Sequence, residues 1–105
     1  METRTGYLTV YSADRSEIYG EFADATWEVE ETEGGSNHLF TGKASEGTME
    51  TFRRLDREGI DHIAYDFDAA GKTFSGSAQL LRPQDNLAPG DAWIRIESGV
   101  EPATA

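Results

Sequence analysis

Cysteine is absent from the 105 residues. Disulfides, thiolate metal sites and a cysteine nucleophile are therefore excluded. A chain of this length makes one domain and can bury an ordinary core without staples. Long apolar runs are also missing. No window approaches the roughly 18 apolar residues of a membrane-spanning helix, and the mean hydropathy is -0.58. The opening residues Met1–Gly6 lack the apolar stretch of a signal peptide, so the expected setting is the producer's cytoplasm, or a particle assembled there. Lysine is scarce: only Lys43 and Lys72 stand among the nine basic residues.

Acid is what the chain has in excess. Twenty Asp and Glu against nine Lys and Arg give a net charge of -11. Binding nucleic acid through its phosphates needs clustered Lys and Arg, which is the opposite composition. Docking on an anionic membrane is disfavoured for the same reason. The acid is unevenly placed. Residues 14–33 hold eight acids and a single base, Arg15, and so carry seven of the eleven net negative charges. Such a stretch can be a solvated face that maintains solubility. It can also repel nucleic acid, mimic it, or meet a basic protein. An Arg-rich, Lys-poor, acid-rich composition equally fits a GC-rich or salt-adapted source.

The hydrophobic pattern is mostly that of strands. Tyr7–Tyr11 is a run of β-branched and aromatic residues followed by the turn-like Ser12-Ala13-Asp14-Arg15. In Ile18–Glu30, Trp27 and Val29 alternate with Glu28 and Glu30, the period of a sheet with one wet face. Gly20 and Ala23-Asp24-Ala25 interrupt it and suggest a bulge or break. Glu31–Asn37, with Gly34-Gly35 at its centre, reads as a loop or hairpin tip, and His38–Thr41 as a short return strand. The period then changes. Met49, Phe52 and Leu55 recur every three residues between charged positions, which predicts an amphipathic helix over about 46–58. Ser45 or Thr48 can cap its start and Gly59 can end it. Ile63, Tyr65 and Phe67 alternate with Ala64, Asp66 and Asp68. A turn at Ala69–Lys72 and a return strand Thr73–Arg82 complete a hairpin. Pro83–Gly90 is a loop, and Ala92, Ile94 and Ile96 mark a last strand. No strand–helix–strand repetition is visible. The expected fold is mainly β: an antiparallel sandwich or barrel with one flanking helix. It would form a single domain over residues 1–99, followed by a tail, 100–105, with nothing to bury.

No constellation in the sequence carries enzymatic chemistry. Asp66-Phe67-Asp68 begins like a calcium loop, but the fifth and twelfth positions are Ala70 and Ser77 and the flanks are strands. Gly42-Lys43-Ala44-Ser45 fails the phosphate-loop pattern twice, at Asn37 and at Ala44. His38 and His62 could act as ligands or bases only if the fold brought them together. Asp66 and Asp68 share one strand face, and without a cleft they are two solvated acids beside a turn. No cofactor, metal or catalytic residue is expected. Trp27 and Trp93 sit among charged residues, either as half-buried sheet residues or as aromatic anchors at a subunit interface. Arg53, Arg54 and Arg57 on the outer helix face could meet the acids of another copy.

From Glu46 onward the order of features resembles the tail tube proteins of tailed bacteriophages and the related tube protein of type VI secretion. The helix ending Arg57-Glu58-Gly59 is followed by the aromatic strand His62-Ile63-Ala64-Tyr65-Asp66-Phe67. Next come a glycine-containing turn and Lys72-Thr73-Phe74-Ser75-Gly76-Ser77-Ala78, similar to that family's aromatic-x-Gly strand. The final alternating strand Trp93-Ile94-Arg95-Ile96-Glu97-Ser98 ends at Gly99. The resemblance implies a β-sandwich with one helix, hexameric rings closed by strand pairing, and rings stacked with other tail proteins into a tube. DNA would pass through an acid-lined channel without being held tightly. Glu21, Asp24, Glu28, Glu30 and Glu31 are the candidate lining, and Trp27, Trp93, Arg53, Arg54 and Arg57 the candidate subunit contacts. The implied setting is the virion. The chain is shorter than most tube proteins, and Glu31–Asn37 is a small candidate for the loop that joins rings. The alternative from another class is a small acidic inhibitor, an immunity protein or nucleic-acid mimic, that presents the same acids to a basic partner.

Overall fold

The computed structural model describes residues 3–81, 84–85 and 92–104. The chain runs β1 (Thr3–Ser12), β2 (Ile18–Thr32), β3 (Gly35–Lys43), α1 (Glu46–Arg57), β4 (His62–Ala69), β5 (Lys72–Leu80), β6 (Gln84–Asp85), β7 (Ala92–Ser98) and β8 (Ala103–Thr104). The fold is mainly β, with an antiparallel six-stranded barrel and one helix. Around the barrel the order is β1, β2, β3, β7, β5, β4, and β4 pairs back onto β1. Of the two expected architectures, the barrel is the one formed. Most of the expected loop at Pro83–Gly90, and Arg82 of the expected return strand, lie outside the described residues.

Alternation decides which residues fill the barrel. Leu8 and Val10 of β1, Phe22, Ala25 and Trp27 of β2, and Phe40 of β3 point inward with Ile63, Tyr65 and Phe67 of β4. Ala78, Leu80, Ile94 and Ile96 complete the layer. Two irregularities in the β1–β2 register fall where the sequence breaks its pattern. Gly6 pairs with Ala25 and Leu8 with Phe22, so Ala23 and Asp24 form a bulge; a second shift lies between Gly20 and Ile18. Bulges of this kind bend a strand and help it close a barrel. Gly6 is required by close approach, because a Cβ there would collide with the Asp68 carbonyl oxygen of β4.

Ser45 caps α1 by accepting a hydrogen bond from the Thr48 backbone N–H at 3.4 Å. Gly59 ends the helix in the left-handed region at φ 73°. The buried stripe Met49, Phe52 and Leu55 packs over β2 and β7 and plugs one end of the barrel. The rings of Phe22 and Phe52 stand 6.0 Å apart there. Gly42 leaves room for this packing, since a Cβ would come within 2.6 Å of the Phe22 ring. At the other end, Ala70 and Gly71, at φ 53° and 78°, make the two-residue turn of the β4–β5 hairpin. The pairing Thr32↔Gly35 sets the β2–β3 turn at Glu33-Gly34.

Two expectations need correction. The return strand β3 covers Gly35–Lys43 rather than four residues, because β2 pairs with it over Gly35–Thr41, the polar Ser36 and Asn37 included, and β7 pairs with it over His38–Lys43. The residues after Gly99 are not a tail with nothing to bury. Pro102 is buried, and Ala103 and Thr104 pair with Ser75 and Phe74 of β5. Among the described residues, β7 meets β5 at Gln79↔Glu97 and Leu80↔Ile96, and the Leu81 N–H just beyond donates to the Arg95 carbonyl at 3.0 Å. β8 therefore extends the same seam toward the other end of the barrel, after an outward detour around Val100. The Ser98 hydroxyl holds that detour, donating to the Val100 carbonyl at 2.9 Å and accepting from its N–H at 3.3 Å.

Candidate functional site

Among the described residues, the end opposite α1 is open. There the start of β1, the β2–β3 turn, the β4–β5 hairpin and the chain before β8 surround a cavity of about 540 Å³. Its wall includes Arg4, Trp27, Val29, Glu31, Ser36, His38, Lys72, Phe74 and Glu101. Barrel mouths are a common place for ligand sites, and this volume is in their usual range. Trp27 forms its base, 5% exposed. The indole stacks on Phe40 at 5.4 Å and meets Phe74 edge-on at 5.1 Å. Its Nε1–H donates to His38 Nδ1 at 3.1 Å. That bond requires an unprotonated Nδ1, so the neutral ring carries its proton on Nε2, which faces the Ser36 hydroxyl at 3.4 Å. The Arg4 guanidinium lies over both rings, 4.9 Å from the Trp27 centroid and 5.7 Å from that of Phe74.

Below the mouth lies an unusual polar group. Tyr65 is fully buried, and its hydroxyl has no hydrogen-bond partner among the described residues. Burial pushes the phenol up to about 12, and the nearby Ser98 hydroxyl opposes that only in part. Ser98 is committed to the Val100 backbone. The tyrosine crosses above Gly76, where a Cβ would stand 3.1 Å from the hydroxyl oxygen. The aromatic-x-Gly pattern of β5 thus has a packing reason: the missing side chain accommodates Tyr65.

The acids occupy different places. Glu21, Asp24 and Glu30 are exposed on the outer face of β2, and Glu28 is half-buried on the same face. Glu31 is different, because inward alternation brings it to the mouth. Asp14 holds the β1–β2 turn. Ser16 donates to it from hydroxyl and backbone at 2.6 and 3.0 Å, and Ser12 donates at 2.8 Å. Those hydrogen bonds, Ser16 foremost, lower its carboxyl to about 2. On β4, Asp66 and Asp68 point outward beside β1, and they are more than solvated acids at a turn. Burial pushes Asp66 up, but Ser75 at 2.7 Å, Arg15 at 3.0 Å and Tyr11 outweigh it and the net shift is downward. Asp68 accepts from Thr73. The outer wall of β2, β1 and β4 is therefore acidic and hydroxyl-rich. Tyr7 belongs to it and donates to Glu21 at 2.9 Å.

The candidate interface residues are dispersed. Trp27 is an interior residue and is not presented to a second subunit; its charged sequence neighbours lie on the opposite face of β2. Trp93 is 36% exposed on the outside of β7. Arg53 is half-buried, while Arg54 and Arg57 are exposed on α1. Arg54 pairs with Glu58 at 3.4 Å. The histidines stay apart: His38 is buried at the mouth, whereas His62 is exposed at the start of β4, on the side of α1. Asp61 precedes β4, so strand alternation does not separate it from His62, and their side chains approach to 3.9 Å. Among the described residues, no three His, Asp or Glu side chains gather as metal ligands would. Sequence reasoning missed the mouth because Arg4, His38, Phe74 and Glu101 are distant in the chain.

Comparison with known protein families, curated proteins and solved structures finds no match. The class is therefore defined by architecture alone: an antiparallel six-stranded barrel, plugged at one end by a helix and open at the other.

Proposed function

We propose that this chain is a structural, non-enzymatic subunit that assembles with copies of itself, as a tail tube or tail-associated protein does. The observation that carries the reading is the outer wall. Glu21, Asp24, Glu28 and Glu30 of β2 point to the same side as Asp66 and Asp68 of β4, with the hydroxyls of β1 between them. Such walls arranged around an axis form a channel that repels a phosphate backbone and lets it slide. Barrel closure constrains the contacts. Among the described residues the sheet ends in the two-residue strands β6 and β8, so subunits meet through side chains more than through continued sheet. Exposed Trp93 is the aromatic suited to that role, with Arg54 and Arg57 as charged partners. The test is negative-stain electron microscopy of concentrated protein at low and high salt. Rings or stacked tubes are expected, and small single particles in both salts count against the assembly.

The same closure favours a second reading, a small acidic inhibitor of a basic partner, because a barrel with few free edges is complete as a monomer. The two readings separate on one variant, Asp24→Asn with Glu28→Gln and Glu30→Gln. It retains rings if these acids only line a channel, and it loses binding if they form the contact.

A further inference from the structure

We propose that the open mouth of the barrel binds a planar organic cation, a guanidinium group above all, in the position that the Arg4 side chain occupies in the free chain. This inference does not depend on the assembly reading. Its basis is a group already seated there: the Arg4 guanidinium lies over two aromatic rings, Trp27 at 4.9 Å and Phe74 at 5.7 Å. The ring faces attract a cation electrostatically, and more strongly where water is partly excluded. Glu31 and Glu101 line the same cavity from distant parts of the chain. Among the described lining residues, the charges of Arg4 and Lys72 balance these two carboxylates. With Arg4 swung out, those residues have one net negative charge, in a molecule whose total charge is -11. The overall field therefore favours a cation at this mouth and disfavours an anion. Arg4 is an exposed residue near the start of β1. The cavity of about 540 Å³ lies beside Arg4, which forms part of its wall, and gives room for the rest of a ligand.

The cation can come from a separate molecule or from a second copy, whose exposed Arg54 and Arg57 present the same chemistry. The probe is N-acetyl-argininamide, with the uncharged N-acetyl-citrullinamide as control. Binding is read by tryptophan fluorescence and calorimetry on the full chain, and circular dichroism establishes folding. Arg4→Ala is expected to bind the arginine probe at least tenfold more tightly than the unaltered chain. Adding Glu31→Gln and Glu101→Gln is expected to remove that gain. Arg4→Gln, which keeps most of the side-chain length, serves as the second variant if Arg4→Ala does not fold. Sedimentation velocity distinguishes the sources. Self-association of Arg4→Ala that Arg54→Gln and Arg57→Gln abolish assigns the cation to a second copy. A monomer that binds the free probe assigns it to a separate molecule. If folded Arg4→Ala or Arg4→Gln binds the arginine probe no better than the citrulline probe, the proposal is overturned.

Discussion

Removing the Tyr65 hydroxyl should stabilise the protein. The group is fully buried and, among the described residues, has no hydrogen-bond partner within normal geometry. Folding strips water from it and the nearby Ser98 hydroxyl compensates only in part; a neutral polar group left so costs about 1–3 kcal/mol. Tyr65→Phe deletes the oxygen but retains the ring, whose centroid lies 4.6 Å from that of Phe40. The expected gain is about 1 kcal/mol, the low end of that range, because removing the oxygen leaves a small void. In a domain near this size, that raises Tm by about 4–8 °C. Thermal and urea denaturation followed by circular dichroism measure it. A loss of about 1 kcal/mol or more would refute the reasoning, since it would mean that the phenol has a partner, such as a buried water.

Gly76 supplies an internal control. A Cβ at this position would stand 3.1 Å from the Tyr65 hydroxyl oxygen and 3.3 Å from the carbon bearing it. Gly76→Ala should destabilise by about 1–3 kcal/mol through overpacking. In the Tyr65→Phe background the nearest obstructing atom is gone, so the cost should fall. The two substitutions are in contact and should show a coupling of at least about 0.5 kcal/mol. Strict additivity would show that Tyr65 does not lie over Gly76.

Other consequences follow from the same packing. Gly6→Ala should be among the most damaging single substitutions, costing about 3 kcal/mol or more, because the obstacle is the Asp68 backbone carbonyl and not a movable side chain; urea denaturation measures it, and a cost under about 1 kcal/mol would contradict the close β1–β4 approach. Deleting residues 99–105 should leave the core folded but release whichever of the Phe74 and Ser75 amides faces β8 to exchange about tenfold faster, while its neighbour facing β4 stays protected; unchanged exchange at both would restore the view of a free tail. Asp14 and Asp66 both have lowered pKa values, so each stabilises fully above the ordinary carboxylate pKa and loses its contribution as pH falls through its folded value. For Asp14 that loss runs from the ordinary value of 3.8 down to about 2. Asp14→Ala should therefore unfold more easily than the unaltered chain at pH 6 and approach it near pH 2.

Local features were legible in the sequence and closure was not. The helix could be read because Met49, Phe52 and Leu55 share one face and Ser45 and Gly59 mark its ends; all of that information lies within fifteen consecutive residues. The β4–β5 hairpin was equally local. The bulge at Ala23-Asp24 was legible as a break in alternation. Barrel against sandwich, by contrast, turns on whether β7 reaches β5. That seam has two pairs near Leu80 and two more at β8, and no pattern in Gly99–Thr104 announces a strand. Trp27 was misleading for a related reason. Glu28 beside it looked like evidence of exposure, yet a strand between two layers sends adjacent residues to opposite environments. Glu31 shows the converse: it belongs by sequence to the acidic stretch and by alternation to the mouth.

That placement separates two kinds of charge in the barrel. Acids on the outer wall of β2 are close to water and to one another. Their individual contributions to stability are small, and their effect is a collective field that salt screens. Glu31 and Glu101 are exposed as well, but they line the mouth together with the Trp27 and Phe74 rings. A salt titration should therefore distinguish the two faces. Whatever the wall repels or attracts should weaken steeply with ionic strength, because it acts through many exposed charges. The exchange at the mouth should weaken less, because part of its attraction comes from the Trp27 and Phe74 rings, and ring quadrupoles act only over contact distances. Arginine-probe affinity of Arg4→Ala that falls with salt as steeply as wall-mediated binding would assign it to the general field of the acidic chain rather than to the mouth.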